Sequence, residues 1–247
     1  GIGMTSPSQK LEVHSTIKIG ETGVTGGRLI SGDSMVFQID SDNSSTASSY
    51  RFKTNGTADD GTELMRIQEN GNVGIGITSP HTMLQVNGAV NTFSAHFGGQ
   101  NNTNGQYQGI SLGYAESGNA AYRKIAIVAQ AKGDGAARQD LHFLVDTTSD
   151  SNSASIGDSK MMIDGFTGDI GIGVGDPDAY YATKLVVYDG DEGGMTIANS
   201  STTGKSYLAF ADGTSGAAAY SGYMAYDHND NSLSFAGSGG KNRLTIN

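Results

Sequence analysis

The chain lacks cysteine and tryptophan entirely, and only three of its 247 residues are proline. The absence of cysteine excludes disulfide bonds, thiolate metal sites and a cysteine nucleophile. No apolar run approaches the roughly 18 residues that a membrane-spanning helix needs. We therefore expect neither thiol chemistry nor membrane insertion.

Charge is scarce as well. Charged residues make up 16% of the sequence, compared with about 25% in typical soluble domains. Asp and Glu total 25 and Lys and Arg total 15, so the formal net charge is −10. An acidic chain without a basic stripe binds nucleic acid poorly, and we expect no nucleic-acid partner. The low share of charge also suits a surface that faces other protein.

Glycine, by contrast, is abundant, with 37 residues, about twice the usual share of roughly 7%. Short apolar runs such as Arg123–Val128 and Leu141–Val145 lie between glycine-rich stretches, and isoleucine outnumbers leucine, as is typical of strands. No long stretch shows a helical period. These patterns predict an all-β chain with a thin core.

One motif recurs three times and organises the chain. It consists of Gly-Ile-Gly, a proline four residues later and then Leu-x-Val, and its copies lie within residues 1–13, 65–86 and 161–187. The later two copies begin with a Met-x-Ile strand, and Arg243–Asn247 resembles the start of another. Glycine allows close approach of backbones, proline interrupts strand pairing, and Leu-x-Val starts a new strand.

The Gly-Ile-Gly positions divide the chain into three predicted modules, 1–73, 74–170 and 171–247. Their lengths differ too much for a regular solenoid. The prediction is therefore a series of small β modules joined by Gly-Ile-Gly/Pro joints. Both termini coincide with a module boundary, so we expect the chain to be a segment of a longer array.

The pattern Met-x-Ile, Gly-Asn-Val-Gly-Ile-Gly, Pro and Leu-x-Val resembles the repeated shaft segment of bacteriophage tail fibre and tailspike proteins. Gly222–Phe235 resembles another recurring piece of such fibres, whereas Asp169-Ile170 and Asp176-Pro177 are mild departures from the pattern. The resemblance implies a virion-attached, intertwined, parallel homotrimeric fibre with its chains in register.

The residues themselves also favour a trimer. A module of about 75 residues buries little surface alone, and short strands bounded by glycine leave open edges. Association of three chains increases the buried surface and covers the open strand edges. We expect five joint residues to face the threefold axis in stacked layers: Ile2, Val73, Ile75, Ile170 and Ile172.

Candidate catalytic and metal-binding residues are few. The five histidines have no metal-ligand spacing, and we predict no metal site and no cofactor. The oxygen-rich run Asp227–Asn231 could bind calcium, but a turn between two strands is the favoured interpretation. No two carboxylates stand out as a glycosidase pair and no serine lies in a nucleophile elbow. We predict no catalytic residue.

Receptor binding is expected in the middle module, because its loop insertions make it the longest of the three. Binding residues usually lie in loops on a rigid scaffold, which points to residues 101–108 and 146–155. The candidate receptor contacts combine amide and aromatic side chains: Asn101, Asn104, Tyr107 and Tyr114. In the alternative, these loops only decorate a shaft whose tip lies beyond residue 247.

These patterns predict a structural segment of a viral tail fibre, located in the virion, which supports or performs host attachment by binding a surface glycan or protein receptor. We do not expect an enzyme. A repeat segment of a bacterial surface adhesin with the same architecture is the alternative. A polysaccharide-degrading tailspike would need a long parallel β-helix, and the sequence has no coil-length repeat of that kind.

Overall fold

The structure is a computed structural model, and it describes residues 29–40, 45, 47–55, 60–100, 103–114, 121–191, 194–237 and 241–247. Within these residues the chain is all-β, as the sequence predicted: fourteen strands form three sheets, and the helical elements are three short 3-10 turns. No helix in these ranges is long and apolar enough to cross a membrane.

The strands follow the short apolar runs of the sequence and are numbered in chain order. They are β1 (Ser49–Thr54), β2 (Thr62–Gln68), β3 (Val73–Ile75), β4 (Leu84–Val86), β5 (Tyr107–Leu112), β6 (Ile125–Ala131), β7 (Gln139–Val145), β8 (Ser159–Ile163), β9 (Ile170–Ile172), β10 (Leu185–Val187), β11 (Lys205–Phe210), β12 (Gly222–Asp227), β13 (Ser232–Gly237) and β14 (Lys241–Ile246). The 3-10 turns are Ile156–Asp158, Pro177–Ala179 and Gly216–Tyr220.

The chain divides into two compact units, Gly1–His96 and Phe97–Asn247. The first contains a sheet of order β1-β2-β3-β4, in which only the last pair is parallel. The predicted module boundaries at 73/74 and 170/171 fall within β3 and β9, and the three modules stay a prediction.

The second unit contains two sheets. A six-stranded sheet runs from β5 to β10 in chain order, antiparallel except for its last pair. A four-stranded antiparallel sheet follows, from β11 to β14.

The buried core of the six-stranded sheet lies on one of its faces. Val128, Leu144, Met162 and Val186 are buried there, and Leu144 and Met162 are almost completely enclosed. The connection between β9 and β10 passes over this face, because Val174 lies against Gly171 of β9. The β3–β4 connection covers the first sheet in the same way, because Ile77 and Pro80 lie against Gly74.

Candidate functional site

Both complete copies of the repeat form the same three-stranded joint. The Met-x-Ile strand pairs antiparallel with the short Gly-Ile strand, which pairs in parallel with the Leu-x-Val strand. The registers correspond: Ile75 lies opposite Met65 and Val86, and Ile172 lies opposite Met161 and Val187. The repeated sequence therefore encodes a repeated structure.

The first glycine of each joint leaves room for the connection that crosses it. A Cβ at Gly74 would lie 2.6 Å from the carbonyl oxygen of Ile77, and one at Gly171 would lie 2.7 Å from that of Val174. The motif proline is buried in both connections. A larger residue at either glycine would displace the connection from the sheet.

The second glycine of each joint has a left-handed backbone, with φ +70° at Gly76 and +74° at Gly173. Residues with a Cβ rarely adopt this conformation. A Cβ there would also collide with the carbonyl oxygen of the residue after the parallel strand, which is Asn87 in one joint and Tyr188 in the other. Both glycines of the motif are thus explained by backbone geometry.

A further shared feature, which the sequence reasoning missed, is a phenylalanine next to a β-bulge. In each sheet a strand carries a Phe opposite the first apolar residue of the following Met-x-Ile or Leu-x-Ile strand, and the register shifts directly after that Phe. The available signal was an apolar-x-Phe triplet, but loops of unequal length separate it from the motif. The opposed pairs are Phe52–Met65, Phe143–Met161 and Phe235–Leu244.

One face of the six-stranded sheet is apolar from edge to edge. Two adjacent rows of opposed residues cross it, and several members are exposed, such as Ile172 at 40% and Leu185 at 55%. The first row is Ile110, Ile127, Phe143, Met161, Ile172 and Val187, and the second contains Ala129, Leu141, Ile163, Ile170 and Leu185.

The face that the chain covers with its own loops is the opposite one, and it includes the buried polar residues Asp140 and His142. An antiparallel sheet commonly packs one face on the core and leaves a polar face to solvent. Here both faces carry apolar residues, and the described residues cover only one of them, so several members of the apolar rows are left exposed.

The first and third sheets present equivalent faces. Phe52 is 53% exposed in the first sheet, and Leu244 is 53% exposed in the third. No residue of these rows is charged. The rows are Phe52–Met65–Ile75–Val86 and Tyr50–Ile67–Val73–Leu84 in the first sheet, and Leu208–Met224–Phe235–Leu244 in the third. We call all of these surfaces the apolar faces.

Four of the five predicted axis residues lie on the apolar faces. Val73 and Ile75 belong to that of the first sheet, and Ile170 and Ile172 belong to that of the second, since alternate residues of a strand share a face. Ile2 lies outside the described residues. The position of these side chains relative to a threefold axis stays a prediction.

The candidate receptor contacts lie near one edge strand of the six-stranded sheet. Tyr107 begins β5, and Asn104 lies in the turn before it. Tyr114 follows β5, is 66% exposed, and meets the ring of Tyr122 edge-on with 6.4 Å between centroids. Asn101 lies outside the described residues.

Tyr107 shares a shallow cavity with the second predicted contact loop. Lys124 holds that loop by pairing with both Asp146 and Asp150 at 2.6 Å. The structure therefore brings residues of both predicted loops together. The cavity has a volume of about 360 Å³, and its lining includes Tyr107, Arg123, Ser153 and Ala154. We call it the Tyr107 cavity.

A larger cavity of about 510 Å³ lies on the third sheet, on the side opposite its apolar face. The rings of Tyr207 and Tyr223 meet edge-on there with 5.2 Å between centroids, and Tyr220 completes the wall. The hydroxyl of Tyr223 donates to Oδ1 of Asn242 at 3.2 Å. The sequence could not predict this convergence, which depends on the register of β11 and β12.

Several ionisable residues of the second unit form structural pairs. Lys132 contacts Asp164 at 2.7 Å and Asp140 at 3.2 Å. Burial raises the pKa of Asp164, but Lys132 and two backbone N–H groups outweigh burial and lower that pKa to about 2. These pairs hold the β6–β7 loop against the β8–β9 turn.

His142 is buried close to this cluster. Its Nδ1 lies 3.0 Å from the hydroxyl of Ser159, whereas its Nε2 has no hydrogen-bond partner. Burial lowers the pKa of the imidazole, Asp140 opposes this effect and Lys132 reinforces it. The neutral imidazole is therefore the form that the fold favours.

The oxygen-rich run near residue 227 forms the β12–β13 turn, as the favoured interpretation predicted. Asp227 accepts a hydrogen bond from the backbone of Asn229 and pairs with Lys205 at 2.8 Å. Asp230 accepts one from the backbone of Ser232. In the part of the chain that the structure describes, no group of three or more His, Asp or Glu side chains is arranged to hold a metal ion.

Comparison of the chain with family models and with curated protein sequences gave no match. The functional proposal therefore rests on the apolar faces, the joints and the loops of the chain itself.

Proposed function

We propose that the chain is a structural segment of a viral tail fibre, which assembles as a parallel homotrimer and supports or performs attachment to a host cell. The observation that carries this proposal is the exposed apolar face of each of the three sheets. The first two sheets cover part of their opposite faces with their own connections, and other chains are needed to cover the apolar faces.

Further copies of the same chain fit this role. In a parallel, in-register assembly, the apolar face of each sheet meets the same face of its neighbours. The rows contain no charge, so symmetry brings no like charges together in a medium of low dielectric. Burial of apolar area at about 25 cal/mol per Å² supplies stabilisation that the thin cores of single chains lack.

The attachment role is supported by the position of the Tyr107 cavity. Tyr107 lies on the side of β5 opposite to Ile110, because the two are three residues apart on one strand. The ring of Tyr107 therefore stays accessible when the apolar face is covered, although Ile110 also borders the cavity. Three copies of a weak site on one fibre give avidity for a repeated glycan or protein receptor on the host.

Light scattering and native mass spectrometry test the assembly. We expect a particle of three times the 25.5 kDa chain mass at micromolar concentration. A stable, folded monomer at that concentration contradicts the proposal.

Binding of labelled protein to bacterial cells and to a glycan array tests the attachment role. We expect Tyr107→Ala to reduce binding at least tenfold. Tyr181→Ala is the matched control, because the ring of Tyr181 is fully exposed and does not line the cavity. Equal binding by both variants contradicts a role for the cavity, and release of reducing sugar from a host polysaccharide contradicts a purely binding function.

A further inference from the structure

The Tyr107 cavity lies on β5 and β6, at a place where one strand residue has no side chain. Tyr107 and Ser111 point to the same side of β5, and Gly109 between them leaves a gap. Ala126 and Val128, on the neighbouring strand β6, form the floor of this gap. The cavity therefore has a phenol ring at one end, a hydroxyl at the other and an apolar floor.

Among the described residues that line the Tyr107 cavity, Arg123 alone is charged. The nearby carboxylates of Asp146 and Asp150 are both paired with Lys124 at 2.6 Å. Arg123 is exposed, and it pairs with no carboxylate of the described residues. Its guanidinium can therefore bind an anionic group that a ligand brings into the cavity.

The backbone of Arg123 is held in place by the second predicted contact loop. Its N–H donates to the hydroxyl of Ser153 at 3.2 Å, and its carbonyl accepts a hydrogen bond from Ala154 N–H at 2.9 Å. The preceding residue, Tyr122, has a left-handed backbone with φ +63°, which is rare for a bulky side chain. Such strained residues cluster at binding sites, and this one fixes the course of the chain directly before Arg123.

We infer that the Tyr107 cavity binds an acidic saccharide, whose carboxylate or phosphate group pairs with Arg123 and whose sugar ring packs on Tyr107. A guanidinium presents a planar fork of N–H donors that matches the oxygens of either group. The tyrosine ring supplies apolar area with a polar tip. The volume of about 360 Å³ lies in the range of small-molecule sites. The inference rests on the attachment role proposed above and names the chemistry of the receptor.

A glycan array tests the class of ligand. It carries glycans that contain uronic acid, sialic acid or sugar phosphate next to neutral glycans of the same backbone. We expect the full-length parent to be retained by acidic glycans at least tenfold more strongly than by their neutral counterparts. The retained glycans distinguish carboxylate from phosphate. Equal retention of acidic and neutral glycans overturns the inference.

Arg123→Gln tests the residue that makes the ionic contact. We expect this variant to bind the retained acidic glycan at least tenfold more weakly and to keep the circular dichroism of the parent, because the side chain is exposed. Arg243→Gln is the matched control, because it removes the same charge from an exposed side chain that does not line the cavity. Equal binding by the two variants overturns the role of Arg123.

Changing the ligand gives a second test that leaves the protein unaltered. The retained glycan is compared with its carboxyl-reduced or dephosphorylated form by isothermal titration calorimetry. We expect removal of the anionic group to weaken binding at least tenfold, because the neutral ligand gives Arg123 no counter-charge. Equal affinities overturn the inference.

The outcomes separate this inference from the attachment role itself. A parent that binds bacterial cells but no acidic glycan keeps the attachment role and overturns the acidic saccharide. The same holds if Tyr107→Ala reduces cell binding and Arg123→Gln does not. A parent that binds neither cells nor glycans overturns both.

Discussion

Gly173 illustrates how a single residue fixes a joint of this chain. Its left-handed φ and the nearby carbonyl oxygen of Tyr188 both exclude a Cβ, and its N–H donates to the carbonyl of Lys160 at the bulge. Gly76 meets the same three conditions in the first unit. Glycine is therefore required at the end of the Gly-Ile strand, between its antiparallel partner and its parallel partner.

Replacing Gly173 with alanine is expected to destabilise the second unit by about 1–3 kcal/mol, because a strained backbone and a steric overlap arise together. Chemical denaturation followed by circular dichroism measures the change. Gly175→Ala is the control, because no atom lies within 4 Å of its Cβ position. Equal midpoints for the two variants would contradict the proposed constraint.

His142 makes stability depend on pH in a defined range. Burial lowers the pKa of this imidazole in the folded chain from the ordinary value of 6.5. Because the pKa is lower in the folded chain, the contribution of His142 to the free energy of unfolding is complete above pH 6.5. It declines as the pH falls towards the folded-state pKa. We expect the free energy of unfolding to fall by at most about 1.4 kcal/mol per pH unit between pH 6.5 and 5.

His142→Gln removes the titrating group and is expected to flatten this part of the pH profile. The carboxylates that titrate near the lower end of this range, such as Asp178, whose pKa is raised by burial, are the same in both proteins, so the difference between parent and variant isolates His142. Thermal melts of parent and variant at half-unit pH steps measure the difference. A variant with the same slope as the parent would show that another group is responsible.

At the scale of the element, the sequence located strands better than it located their pairing. Leu-x-Val predicted a strand start, and β4 and β10 lie there, whereas the pairing of the Gly-Ile segments in β3 and β9 was not predicted. The Phe-bulge pairs and the tyrosine cavity depend on the register between strands that loops of variable length separate. The side that each sheet covers with its own connections was also not predictable, because both faces contain apolar residues.

Lys132 links the β6–β7 loop to the β8–β9 turn. We expect its loss to weaken the attachment of both. Lys132→Met leaves the largely buried carboxylates of Asp140 and Asp164 without their cation, which should cost about 1–3 kcal/mol at neutral pH. In the parent, the low pKa of Asp164 stabilises the fold above pH 3.8, and this contribution is lost between pH 3.8 and about 2. The variant should lose less stability over that range.

Lys205→Met is the matched control for this prediction. Lys205 also pairs with an aspartate, but its side chain is 44% exposed, and Asp227 keeps a backbone donor. Exposed pairs contribute at most about 1 kcal/mol. Urea denaturation at pH 7 and pH 3 measures both variants, and equal losses would contradict the bridging role of Lys132.

At the scale of the whole molecule, the sparse charge and the apolar faces have one physical explanation. Charged residues are 16% of the chain, and none lies in the apolar rows. A monomer with such faces exposes rows of apolar side chains to water, and contiguous exposed apolar patches mark interaction surfaces. The proposed trimer turns these surfaces into a shared core.

Ile75→Asp tests this explanation, because it separates folding from assembly. Ile75 is 41% exposed in the single chain, so aspartate there costs the isolated sheet little. In a trimer it places three carboxylates near one axis in low dielectric, which should cost about 3 kcal/mol or more per trimer. We expect the variant to retain the circular dichroism of a β-sheet protein but to dissociate, as measured by light scattering, at concentrations where the parent stays assembled.

Thr78→Asp, on the exposed β3–β4 connection, is the control, because it adds the same charge and should leave assembly unchanged. An Ile75→Asp trimer that melts within a degree or two of the parent would place this face away from the axis.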